Sequence, residues 1–124
     1  MKRFLAQSIA FSMIVLGASF SASAEGDAVK GKRVYNKCRA CHSLDADRNM
    51  TGPSLAGIIG KKAATAKKYR YSKAMQNSGW TWDEETLSTF LTSPRKSLKG
   101  TKMAFAGLRK PTDIQNLIAF LKEN

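Results

Sequence analysis

The sequence predicts an all-α fold in which short helices and long loops enclose one large buried group. Around Val34 and around Ile118, apolar residues recur three and four positions apart, which is the spacing of one helix face. The long segment from Leu55 to Ala66 has no convincing strand alternation and is predicted to be an irregular loop. Three or four short helices make a thin core for a domain of this length, and a large apolar group would fill the deficit.

Residues 1–24 have the features of a secretory signal peptide. Met1-Lys2-Arg3 is basic, the run from Phe4 to Phe20 is mostly apolar, and Ala22-Ser23-Ala24 fits a cleavage site of small residues. An uncleaved membrane anchor is the alternative, but polar residues interrupt the apolar run. We expect cleavage after Ala24, an exported product and a single domain over residues 25–124.

The chain is strongly basic, with 21 Lys and Arg residues against 9 Asp and Glu and a formal net charge of +12. Only Lys2 and Arg3 would leave with the signal, so the excess belongs to the domain. Such a charge favours binding either to nucleic acid or to an acidic protein. Export, and the lack of a recognised nucleic-acid module, favour the acidic protein partner.

The first helix is predicted over Asp27 to Cys38, with lysines and arginines on its outer face. Gly31 lies in its middle, where glycine costs about 1 kcal/mol relative to alanine. Close approach of another helix would explain this glycine, and a tolerated surface glycine is the alternative.

Two internal helices have recognisable ends. Ser72 is expected to cap a short helix that runs to about Asn77. Thr81-Trp82-Asp83-Glu84 fits a capping box at the start of the next helix, which Pro94 would end.

The last helix is predicted to begin at Pro111 with Thr112 as its cap. Its apolar stripe is expected to be core and comprises Ile114, Leu117, Ile118 and Leu121. The preceding segment, Ser93 to Lys110, is too irregular for a regular element and too long for a simple connection, which favours a functional loop.

Cys38-Arg39-Ala40-Cys41-His42 contains the 2 cysteines and the 1 histidine of the chain. C-x-x-C-H is the pattern of covalent haem attachment, in which two thiols bond to vinyl groups and the adjacent imidazole binds iron. A redox dithiol would need a βαβ context, and structural zinc would need four ligands. A simple disulfide would leave His42 without a role. The motif therefore predicts one covalently attached haem c.

The second axial ligand has to be sought among other residue types, because the chain has no second histidine. The soft thioether of methionine is the next candidate. Met50 follows His42 too closely to reach the other haem face easily, and Met75 lies in a short helical pattern and is expected in the core. We favour Met103, which lies in the long loop, with an open or water-bound iron as the alternative. His/Met ligation leaves no vacant site for a substrate and favours electron transfer over catalysis.

Several stretches of this sequence together resemble the class I c-type cytochromes, specifically the group of mitochondrial cytochrome c and bacterial cytochrome c2. The resemblance extends from about Gly26 to Lys122. It implies the class I cytochrome c fold, in which the N- and C-terminal helices cross and shorter helices and loops surround one haem. The residues that carry it are Gly31, Tyr35, CRACH at 38–42, GPSLAG at 52–57, Tyr69, Tyr71, Thr81-Trp82, Thr86-Leu87, Leu91, Pro94, GTKMAFAG at 100–107 and LIAFL at 117–121.

The resemblance also implies roles for individual residues. The carbonyl of Pro53 would accept a hydrogen bond from His42, and Tyr35 and Phe120 would pack where the terminal helices cross. A haem propionate would accept hydrogen bonds from Tyr71 and Trp82, and Thr101 would lie close to the same group. Phe105 would shield the haem edge beside Met103.

Four positions depart from the mitochondrial pattern. Lys61 stands where an arginine usually serves the propionate, and Phe90 where a tyrosine usually donates to the methionine sulfur. Met75 replaces an asparagine that orders a water, and Lys99 replaces a proline beside the ligand loop. Because Phe90 has no donor, any strengthening of a Met103–iron bond has to come from packing.

The sequence thus predicts a monomeric periplasmic cytochrome c that is not an enzyme. By analogy, it would carry single electrons from a cytochrome bc1 complex to a terminal oxidase or a photosynthetic reaction centre. Lysines near the exposed haem edge would steer docking to acidic partners, and the candidates are Lys37, Lys61, Lys96, Lys99, Lys102 and Lys110. The alternatives are a dedicated haem subunit of one periplasmic dehydrogenase and a weak haem peroxidase.

Overall fold

Five helices and their connecting loops make up the part of the chain that the structure, a computed structural model, describes, which is residues 25–124. The helices are α1 (Ala28–Tyr35), α2 (Lys73–Gln76), α3 (Glu84–Thr92), α4 (Pro94–Ser97) and α5 (Pro111–Lys122). The β-structure of these residues consists of one isolated antiparallel bridge between Lys62 and Thr81. The all-α prediction is confirmed. The predicted signal peptide lies outside the described residues, and within them no helix has the length and apolarity needed to cross a bilayer.

The two terminal helices, α1 and α5, cross in direct backbone contact. A Cβ placed on Gly31 would lie 1.9 Å from the carbonyl oxygen of Asn116, so only glycine fits at the crossing. The Asn116 side chain also accepts a hydrogen bond from the Asp27 amide at 2.8 Å, which fastens the start of α1 to α5. The rings of Tyr35 and Phe120 pack at 5.4 Å. The close approach predicted from Gly31 is therefore confirmed.

The core lies between α3, α5 and the end of α1. All four residues of the predicted stripe on α5 are buried, and Leu117 is only 1% exposed. Leu108, in the loop before α5, is 3% exposed, and its amide donates to the Leu91 carbonyl at 2.8 Å. This loop is thus fixed to the end of α3, although the sequence gives it no regular structure.

Three predicted helix ends were wrong. The first helix ends at Tyr35, before Cys38, because the backbone hydrogen bonds change there from a four-residue to a three-residue spacing. The Cys38 amide, for example, donates to the Tyr35 carbonyl. Asp83, and not Thr81, caps α3, and its carboxylate accepts from the Thr86 amide at 2.8 Å.

The cap of α5 is Lys110 rather than Thr112, because Pro111 takes the first helical position. The predicted irregular segment from Ser93 to Lys110 contains the short helix α4, which begins at Pro94. The predicted cap at Ser72 is confirmed, since its hydroxyl accepts from the Met75 amide.

Replacement of Gly31 by alanine tests the helix crossing. The added methyl would overlap the α5 backbone, so we expect the free energy of unfolding of the haem-loaded protein to fall by about 2 kcal/mol or more. Val29→Ala, at a position of α1 that is 72% exposed, is the matched control and should change it by less than about 0.5 kcal/mol. Guanidinium unfolding curves measure both, and equal losses would contradict a close crossing.

Candidate haem-binding site

One cavity of about 290 Å³ brings together the C-x-x-C-H motif and the loop that carries Met103. Its wall is mostly apolar and includes side chains from α3 and α5, among them Leu87, Leu91 and Leu117. Of the nine cofactor-binding residues predicted from the sequence, all line this cavity: Cys38, Cys41, His42, Pro53, Tyr71, Trp82, Thr101, Met103 and Phe105.

Tight turns directly after α1 place the two cysteines and the histidine on one side of the cavity. The amides of Cys41 and His42 both donate to the Cys38 carbonyl at 3.0 Å, and the Tyr35 hydroxyl donates to the His42 carbonyl at 2.9 Å. Cys38 is partly buried and Cys41 is exposed. Burial raises the pKa of the Cys38 thiol to about 11, so this sulfur is a neutral thiol at neutral pH before haem is attached.

The His42 ring is fixed by the loop that follows it. Its Nδ1 donates to the Pro53 carbonyl at 2.7 Å, the contact that the resemblance implied. Burial lowers the pKa of His42 and outweighs the opposite effect of this bond. The ring is thus neutral, with the lone pair of Nε2 available for a metal.

Gly52 is a residue of this site that the sequence reasoning missed. A Cβ there would lie 2.4 Å from Cε1 of the His42 ring, so the glycine lets the loop pass directly against the imidazole. Its amide donates to the Cys41 carbonyl at 2.7 Å. A Gly-Pro pair is common in turns, so it does not by itself indicate a site. The position of Gly52 directly before Pro53, whose contact with His42 was predicted, is the feature of the sequence that points to it.

A second wall of the cavity is the loop that contains Thr101, Met103 and Phe105. The Thr101 hydroxyl accepts a hydrogen bond from the Met103 amide at 3.3 Å. At the other end of the loop, a Cβ on Gly107 would lie 2.2 Å from the Thr92 carbonyl oxygen, so the loop returns in close contact with the end of α3. The loop that carries the thioether is thus in close contact with α3 after Met103, and a hydrogen bond within the loop supports Met103 on the other side.

Aromatic residues form a third part of the wall. Trp82 and Phe90 are buried, with their ring centres 5.3 Å apart. The Tyr71 hydroxyl accepts from the Ala66 amide at 3.0 Å, which leaves its hydrogen free to donate to another acceptor. Burial raises the pKa of Tyr71, so the phenol remains a neutral donor at neutral pH.

The four positions that depart from the mitochondrial pattern fall in two groups. Met75 and Phe90 are buried and line the cavity, so they make it more apolar. Lys61 and Lys99 are exposed and do not line it. The Lys61 amine donates to the Ala56 carbonyl at 2.7 Å.

Comparison with known proteins decides what this arrangement is. The sequence profile of cytochrome c matches residues 28–124. The chain belongs to the cytochrome c family. It is 45% identical to cytochrome c-550 of Bradyrhizobium diazoefficiens over 97 residues, covering 77% of this chain and 71% of the relative. It is 47% identical to cytochrome c2 iso-2 of Magnetospirillum fulvum over 88 residues, covering 71% of this chain and 92% of the relative.

Solved structures give the same family. The structure of cytochrome cH from Methylobacterium extorquens matches with a TM-score of 0.76 and 40% sequence identity, covering 80% of this chain and 100% of that one. The predicted class I cytochrome c fold is confirmed. Cytochromes of this family are generally electron carriers rather than enzymes.

The cofactor is haem c, and the described residues fit it. The paired cysteines lie at the wall of an apolar cavity, and the neutral imidazole of His42 lies beside them. In residues 25–124, no cluster of three or more His, Cys, Asp or Glu side chains suggests another metal site. When bound, the haem supplies the one-electron change of its iron, and the protein supplies the ligands and the apolar surroundings.

Gly52→Ala tests the packing of the loop against His42. The added methyl would overlap the imidazole, so we expect displacement of the ring and a loss of about 2 kcal/mol or more in the free energy of unfolding. The optical spectrum of the haem should also change. Gly57→Ala is the control, since it introduces strain at a positive φ of 57° but no overlap with His42. It should destabilise by about 1 kcal/mol and leave the spectrum unchanged. A normal spectrum in Gly52→Ala would contradict this account.

Proposed function

We propose that this protein is a diffusing one-electron carrier whose haem iron is ligated by His42 and Met103. The observation that carries the proposal is that a fixed, neutral imidazole and a loop-borne thioether line the same apolar cavity. With both axial positions filled by protein groups, no position is left for a substrate. The apolar wall and the anchored ligands keep reorganisation small when the iron changes its oxidation state.

The proposed roles of the other lining residues follow from their contacts. Pro53 holds the His42 ring, and the free hydroxyl hydrogen of Tyr71 donates to a haem propionate. Trp82 and Thr101 line the same cavity and are proposed to serve the same group, while Phe105 covers the haem edge beside Met103.

Electrons are proposed to enter and leave near Cys41, which lines the cavity and is exposed to solvent. Two of the six lysines proposed for docking, Lys37 and Lys102, also line the cavity. The other four, Lys61, Lys96, Lys99 and Lys110, are exposed but do not line it. We therefore place the centre of the docking surface at the cavity rim, where positive charge meets an acidic partner.

The proposed setting is the periplasm of a bacterium, after cleavage of residues 1–24 as a signal peptide and release of a monomeric domain over residues 25–124. The basic, exported character predicted from the sequence supports this setting. One of the relatives named above is a bacterial cytochrome c2, that of Magnetospirillum fulvum. The proposed partners are a cytochrome bc1 complex as donor and a terminal oxidase or reaction centre as acceptor.

Met103→Ala tests the axial ligand. We expect loss of the weak red charge-transfer band of Met-ligated ferric haem and a lower reduction potential, because the soft thioether no longer favours Fe(II). The ferric variant should also bind cyanide quickly, since a coordination position is open. Met50→Ala, an exposed position, is the control and should keep the band. An unchanged band in Met103→Ala would refute the assignment.

Charge reversal at the cavity rim tests the docking surface. Lys37→Glu should slow oxidation of the reduced protein by membranes from its own source about tenfold at low ionic strength, with the difference shrinking as salt rises. Lys30→Glu changes the net charge equally but lies outside the cavity lining, and it should have a much smaller effect. Equal slowing in both variants would contradict a local docking site. A wild-type protein that is not oxidised at low ionic strength would refute the carrier function.

A further inference from the structure

A series of contacts at the rim of the cavity links its two walls beside Met103. The residues that make it are Thr51, Tyr69 and Lys102, and all three line the cavity. Thr51 and Lys102 are exposed and Tyr69 is partly exposed, which places them where the cavity meets solvent. The roles assigned above do not require these contacts.

The first contact joins the Met103 loop to the segment around Tyr69. The Lys102 ammonium lies 4.5 Å from the centre of the Tyr69 ring, within the range of a cation–π interaction. The same ammonium donates to the Arg70 carbonyl. The residue directly before Met103 is therefore held twice, by a ring and by a backbone oxygen.

The second contact continues from Tyr69 to the histidine side of the cavity. The Tyr69 hydroxyl donates to the Thr51 carbonyl at 2.9 Å. Thr51 directly precedes Gly52 and Pro53, the two residues that hold the His42 ring. The Tyr69 ring also packs edge-on against Tyr71, with centres 4.7 Å apart, which fixes its orientation.

We propose that Thr51, Tyr69 and Lys102 form a clasp that holds the Met103 loop against the haem and slows replacement of Met103 by external ligands. The proposal rests on the proposed Met103 ligation. The two contacts act in series, so loss of either one frees the loop from the histidine side. Lys102 is then a positioning residue as well as a charge on the docking surface.

Lys102→Met tests the first contact by the rate at which imidazole binds the ferric, haem-loaded protein. At saturating imidazole this rate reports how often Met103 leaves the iron. We expect it to rise about tenfold, because a charged hydrogen bond and a cation–π contact are both lost. Lys102→Arg keeps the charge and can stack on the ring, and its rate should return close to that of the wild type.

Lys73→Met is the matched control, because Lys73 is also exposed and its side chain makes no hydrogen bond or ion pair within residues 25–124. Its rate should equal that of the wild type. Equal rates in Lys102→Met and Lys73→Met, or a failure of Lys102→Arg to restore the slow rate, would overturn the clasp.

Tyr69→Phe tests the second contact, because it keeps the ring for Lys102 and removes only the hydroxyl that reaches Thr51. We expect this variant to be faster as well, by roughly fivefold. The variant that combines it with Lys102→Met should be little faster than Lys102→Met alone, since the contacts act in series. Full additivity would overturn the series arrangement.

The wild-type spectrum separates failure of the clasp from failure of the ligand assignment. A ferric wild type without the thioether band, and with immediate imidazole binding, would refute Met103 ligation itself. A wild type that has the band while Lys102→Met exchanges no faster refutes the clasp alone.

Discussion

The rest of the site depends on the hydrogen bond that Nδ1 of His42 donates to the Pro53 carbonyl. It fixes the tautomer and the direction in which Nε2 can meet a metal. Gly52 makes the bond possible, because any larger residue would meet the ring. The tight turn from Cys38 to His42 then sets both cysteines relative to that ring. Three residues of one turn, with one loop packed against the histidine, would therefore hold the haem.

The crossing of α1 and α5 supplies the rigid base for this turn. Gly31 brings the two backbones into contact, and Tyr35 links the crossing to the site, because its ring packs on Phe120 while its hydroxyl binds the His42 carbonyl. Tyr35 thus connects the helix crossing to the histidine through one ring contact and one hydrogen bond. The short helices leave a thin core around an apolar cavity, and the haem would complete that core when bound.

Most features governed by local sequence were predicted, and most features governed by tertiary contacts were not; the Thr112 cap and the close approach at Gly31 are the exceptions. The α5 stripe and the Ser72 cap follow from spacing and side-chain chemistry alone. The start of α3 does not, because Trp82 exchanges backbone hydrogen bonds with Gly60 and Lys61 and holds the chain extended until Asp83. Gly52 was missed for the same reason, since its importance lies in a ring that folding brings against it. The site residues could be named because the motif and the resemblance fix their order, while their spatial grouping in one cavity comes only from the fold.

The apolar wall contributed by Met75 and Phe90 changes what must hold the second ligand. Phe90 offers no hydrogen to a thioether, so a Met103–iron bond receives no chemical support from that position. The surrounding structure supplies mechanical support instead. Leu108 and Gly107 fasten one end of the loop to α3, and Lys102 holds the other end to Tyr69. An apolar cavity also disfavours the extra positive charge of Fe(III), which raises the reduction potential. The proposed ligation thereby combines a thioether held by loop anchoring with an apolar cavity, and both favour Fe(II) over Fe(III).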